Sequence, residues 1–163
     1  MENFDSRYKQ YTRDAYHHGM TGLAANAASK VIPGAIGSTA GLVGTGASLS
    51  SYWNSYKARV LRPDAPGPKA SAYDRHAYKF HDDRISSLKY GLGSGVLGGV
   101  ALASAVTGSP TVASVARLGA LGTGVTSMYK SLKGLYHGAK AEQLAGSEKT
   151  ASCLEEFVAI NFR

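Results

Sequence analysis

The stretch YGLGSGVLGGVALASAVTGSPTVASVA, residues 90–116, holds no charged residue and sets a small side chain at every fourth position: Gly91, Gly95, Gly99, Ala103 and Thr107. Four-residue spacing puts these positions on one face of a helix. Each interior glycine costs a helix about 1 kcal/mol relative to alanine. Gly91, Gly93, Gly95, Gly98 and Gly99 together therefore need compensation. The compensation expected is a second backbone packed close against the bare face, as in pairs of membrane helices. The fold class that follows is all-α, with four transmembrane helices arranged as two Gly-rich helical hairpins with amphipathic ends.

The same pattern recurs upstream. No charge lies between Val31 and Tyr56, where Gly37, Gly41 and Thr45 make one ladder and Ala40, Gly44 and Ser48 its neighbour. A helix is expected from about Gly34 to Lys57. It ends in Tyr52, Trp53, Tyr56, Lys57 and Arg59, aromatic then basic, the order selected at a membrane–water interface. Residues 14–31 read as the first helix, with Ala15, Gly19, Leu23 and Ala27 on one face. Pro33 and Pro110 mark turns. The third helix is expected over 85–108, entered through a polar amphipathic stretch, Tyr73 to Lys89. The fourth is expected over 111–136, with Ala120 and Gly124 among its packing residues and Tyr129 and Lys130 at its boundary. The division expected is a polar arm over 1–13, a four-helix transmembrane domain over 14–136 with a loop at 60–84, and a peripheral tail over 137–163. Residues 41–46 (GLVGTG) align with residues 119–124 (GALGTG), which suggests two related hairpins.

A bilayer core about 30 Å thick needs about 20 helical residues. The second and third helices meet that length. The first and fourth carry Lys30 and Arg117, each beside a proline turn, where a cation can snorkel to an interface.

At 163 residues the chain fits one domain. Charged residues make up 18%, below the soluble average of about 25%. The net charge of +7 suits an anionic lipid surface. A nucleic-acid partner calls for a dense basic stripe, whereas the Lys and Arg here are scattered among acids, so none is expected. Cys153 has no internal partner and reads as a small half-buried hydrophobe. The acidic N-terminus does not read as a secretory or transit leader.

Little in the chain points to catalysis. His17, His18, His76, His81 and His137 lack metal-ligand spacing and read as interfacial or solvated. Asp82 and Asp83 are adjacent, poor geometry for an acid–base pair on one helix face. Gly93-Ser-Gly95 lacks the strand before it and the Gly-Lys-Ser/Thr after it that a phosphate loop needs. The expectation is a non-enzyme without cofactor or metal.

Ala70, Tyr73 and Arg84, followed by Ser94-Gly95-Val-Leu-Gly-Gly99, resemble the signature of the mitochondrial inner-membrane preprotein translocase (Tim) family. That signature is a small residue, an aromatic three on, an Arg eleven later, an Asp, and a small-Gly-x3-Gly ladder. Here the ladder comes one residue early and Leu88 stands at the Asp position. The loop Arg59-Val-Leu-Arg-Pro-Asp-Ala-Pro-Gly-Pro is most similar to the branch that serves as an accessory subunit of respiratory complex I. The resemblance implies a multi-pass protein of the mitochondrial inner membrane. It would be a non-catalytic accessory subunit stabilising the complex I membrane arm, partnered by other membrane subunits and by lipids such as cardiolipin. Two alternatives stay open: a preprotein translocase channel component, and a membrane-penetrating viral or toxin-like protein.

Overall fold

The computed structural model describes residues 4–161, with side chains described over 4–147. It is built of four helices: α1 (Phe4–Val31), α2 (Gly34–Leu61), α3 (Ala72–Val106) and α4 (Pro110–Asn161). No strand occurs among the described residues. The turns sit at the two expected prolines. Gly34 beside Pro33 and Gly108 just before Pro110 both take positive φ, +74° and +78°, a conformation open to glycine and strained for other residues.

The helices are longer than their apolar runs suggested. α1 begins within the expected polar arm, because Tyr8 and Thr12 are buried. α3 begins at Ala72 rather than 85, started by Ser71, whose Oγ accepts the Asp74 amide at 3.0 Å. The expected loop over 60–84 thus shrinks to the proline-rich segment after Leu61. α4 runs on past Tyr136 to Asn161, through most of the segment expected to be a peripheral tail; Cys153 lies where no side chain is described.

α1 packs along α2 and α3 along α4, and the two hairpins join mainly at their polar ends. There Tyr8, Ala58, Tyr73, Ala77 and Ala141 form a core, one or more from each helix. Toward the turns the close approaches fall within each hairpin. A Cβ on Gly44 would stand 2.5 Å from Asn26 Oδ1, and one on Gly37 would collide with the Ile32 carbonyl oxygen. In the other hairpin, a Cβ on Gly91 would stand 3.2 Å from Ser127 Oγ and one on Gly124 3.2 Å from Ser94 Oγ.

The transmembrane expectation requires correction at the level of the single helix: among the described residues, no helix is long and apolar enough to cross a membrane. The cause is composition. Gly, Ser and Thr dilute the Leu and Val of each uncharged stretch, and they bring little transfer free energy.

The four-residue ladder of α3 also requires correction. Gly91 meets its partner helix, whereas Gly95 and Gly99 face open space and Ala103 is exposed. Four residues turn a helix about 40° beyond a full rotation, so the ladder drifts off the contact face from Gly95 onward. The seam actually used runs through Ser87, Gly91, Ser94 and Ala101, at steps of four, three and seven residues. That is the 3.5-residue period of helices coiled about each other.

Candidate functional site

All four helices converge on Arg84. Its aliphatic stem lies against Gly134 of α4, where an added Cβ would stand 3.5 Å from Arg84 Cδ. Its guanidinium carbon would be 3.7 Å from a Cβ on Gly19 of α1, and its Nε donates to Ser51 Oγ of α2 at 3.1 Å. Ser51 in turn donates to the Ala15 carbonyl at 2.6 Å. The two glycines leave the space that a long side chain needs at a four-helix crossing. Arg84 is 9% exposed, and among the described residues no carboxylate pairs with it. Burial pulls its pKa below the usual arginine value.

A cleft of about 300 Å³ opens where the hairpins begin to part, lined by Arg84 and by polar groups from every helix: Asn26, Ser48, Tyr52, Ser87 and Ser131. The serines are already ordered. Ser87 Oγ lies 2.6 Å from Ser131 Oγ and donates to the Ser127 carbonyl at 3.0 Å. Beside the cleft, Asp83 is 3% exposed and held by Lys130 at 2.9 Å and Lys133 at 3.8 Å. The Asp83 hydrogen bond raises the Lys130 pKa.

A second cleft, of about 350 Å³, lies at the inter-hairpin loop and includes Tyr8, Arg62, Pro63, Asp74 and Tyr78. Its cation is compensated. Arg62 is hydrogen-bonded to both Asp5 and Asp74 and lies over the Tyr8 ring at 4.4 Å. The two clefts differ in this respect: at Arg62 the charge is matched, at Arg84 it is open.

Deeper in the polar end, His81 is fully buried. Its Nε2 lies 2.9 Å from Thr12 Oγ1 and its Nδ1 has no hydrogen-bond partner. Burial pushes its pKa down to about 3, with the nearby Arg59 charge acting in the same direction. His76 and His137 face each other with their Nδ1 atoms 3.0 Å apart, so one donates and the other accepts, and burial holds both below the usual imidazole value. The expectation of interfacial or solvated imidazoles is therefore corrected for His81 and His137, both buried. His17 and His18 do turn different ways, one toward Glu142 at 3.9 Å, the other toward Ser50 at 3.2 Å.

Of the residues singled out by the Tim resemblance, Tyr73 and Arg84 are buried at the polar end and Ser94 donates to the Ala120 carbonyl at 2.8 Å. Ala70 is half-buried in the loop cleft, and Gly95 and Gly99 touch nothing. A Cβ added to Gly41 would stand 3.4 Å from Ser29 Cβ. Among the boundary residues, Trp53 stacks on Tyr56 with centroids 5.7 Å apart, Lys57 lies over the Tyr11 ring at 4.4 Å, Tyr52 borders the cleft, and Tyr129 is exposed. Burial between helices leaves no mark on spacing within one helix, so the sequence pattern does not single out Asp83 or His81 as buried. In comparison with known proteins, no family model, no curated protein and no solved structure matches the chain.

Proposed function

We propose that this chain is a non-catalytic helical subunit that wedges its two Gly-rich hairpins among the apolar components of a larger membrane assembly. One observation carries the reading: the hairpins are apolar outside and small or polar inside. Leu42 is 76% exposed and Val106 81%, and Ile36, Val96, Leu118 and Leu121 point outward in the same way, while Gly22, Gly44, Gly91, Ser94 and Ser127 fill the seams. Contiguous exposed apolar surface of this extent marks an interaction with lipid or with other proteins. Because no described helix is apolar enough to cross a bilayer alone, the surroundings that suit these arms are mixed, part lipid and part neighbouring subunit. The Tim-family resemblance makes the complex I membrane arm of the mitochondrial inner membrane the assembly of first choice.

The hydroxyl-lined cleft between the hairpins favours a second reading, a channel component of a preprotein translocase. Thr45, Ser48, Ser127 and Ser131 line it from α2 and α4. Native-gel mass spectrometry of mitochondrial membranes separates the two, after alkaline carbonate extraction has tested membrane integration. Co-migration with the NADH dehydrogenase supports the accessory subunit. Migration with a preprotein translocase supports the channel component. Release of the chain at alkaline pH and migration alone sinks both.

A further inference from the structure

We propose that the cleft at the fork of the two hairpins is an oxyanion site, formed to take a phosphate group through the Arg84 guanidinium and the hydroxyls around it. Arg84 is nine-tenths buried, donates to one serine through Nε, and lacks a partner acid among the described residues. A buried cation without a counter-charge is expensive to keep, and an anion in the adjoining cleft would relieve it. The acid next in the chain, Asp83, is turned to Lys130 and Lys133, so the local charge stays positive. The guanidinium fork suits two oxygens of one phosphate. Asn26, Ser48 and Tyr52 supply neutral donors from α1 and α2 around the same space, while Ser87 and Ser131, whose protons are engaged with the Ser127 carbonyl and with each other, line it from α3 and α4. About 300 Å³ is at the lower end of small-ligand sites, in keeping with a phosphate group and what it is attached to. The contrast with Arg62, whose two carboxylates occupy its donors, singles out Arg84. The inference stands independently of the membrane reading, since free phosphate tests it in detergent solution.

Phosphate here comes from one of two sources, free phosphate or the headgroup of an anionic phospholipid. The test uses the full chain. Its thermal midpoint is measured in neutral detergent with sodium phosphate against sodium chloride at equal ionic strength. A second arm uses phosphatidylcholine nanodiscs with and without phosphatidylglycerol. A rise with sodium phosphate or with phosphatidylglycerol is expected, the phosphate of phosphatidylcholine being offset by its own choline cation, and it should vanish in Arg84→Gln, with helicity checked by circular dichroism. Thr45→Glu, at an exposed position on the cleft rim, sets a carboxylate against the anion and should weaken the apparent affinity at least about tenfold by like-charge repulsion. A rise with sodium phosphate alone makes the ligand soluble; a rise with phosphatidylglycerol alone makes it a headgroup. No rise in either arm, or the same rise in Arg84→Gln, overturns the site. If Arg84→Gln does not fold, an unchanged affinity in Thr45→Glu overturns it alone.

Discussion

His81 ties the chemistry of one side chain to the stability of the whole polar end. With its pKa at about 3 when folded, against about 6.5 when free, the imidazole is neutral in the native state and takes a proton readily only on unfolding. The unfolded chain then binds more protons between those two values, so stability is full above about pH 6.5 and falls as the pH drops toward 3. The slope from this one group reaches about 1.4 kcal/mol per pH unit within that window. His76 and His137, also held below their ordinary value, act in the same direction. Denaturation midpoints should therefore hold nearly level from pH 7.5 to about pH 6.5 and decline from there to pH 5. His81→Gln should flatten much of the decline, since an amide can still meet Thr12 and does not titrate here. A decline of equal slope in the variant would mean that other groups govern the acid sensitivity.

At the scale of the element, two glycines of similar appearance in the sequence have opposite expected effects. Gly44 faces Asn26, with a virtual Cβ 2.5 Å from the side-chain oxygen and 2.8 Å from the backbone nitrogen. Gly44→Ala should thus lower stability by about 1–3 kcal/mol through overpacking. Gly95 has nothing within 4 Å, and Gly95→Ala should raise the stability of the isolated chain by about 0.5–1 kcal/mol through helix propensity. Urea titrations followed by circular dichroism decide both, and a loss in Gly95→Ala would restore that position to a packing seam. The pair shows how far the sequence could be read. Helix class, both proline turns and the close approach of Gly37, Gly41, Gly44, Gly91 and Gly124 were legible, because small-residue spacing and proline act locally. The register of α3 on α4 was not, since a one-face ladder and a 3.5-residue seam share Gly91 and differ by a single residue at the next step, Gly95 against Ser94. The helical ends also escaped, because α1 before residue 14 and α3 before residue 85 are stabilised by aromatic and ionic contacts between hairpins, such as Tyr8 on Tyr73 and Arg62 on Asp74. Arg84 stood out through its place in a family-like motif, yet its position among four helices had no sequence signal.

Across the whole molecule, polarity is graded along the hairpins. Ion pairs, histidines and edge-to-face aromatic contacts gather at the joined end, while exposed aliphatics dominate toward the turns. Trp53 is the one tryptophan of the chain and is exposed near the polar end of α2. Ile36 is exposed on the same helix, seventeen residues away, a separation of about 26 Å along the axis. If the arms occupy an apolar phase and the joined end sits at its boundary, these two positions differ in depth. Trp53 emission from protein reconstituted in vesicles should be quenched best by lipids brominated close to the headgroup. A fluorophore on Ile36→Cys, in a Cys153→Ser background, should be insensitive to aqueous iodide and respond to bromine deeper in the chains. Equal access of iodide to both positions would place the arms in water, and the exposed Leu and Val would then need a protein partner along their full length. Deep quenching at Ile36 with shallow quenching at Trp53 fits a wedge whose polar end stays at the membrane surface, where Arg84 and its cleft would meet phosphate.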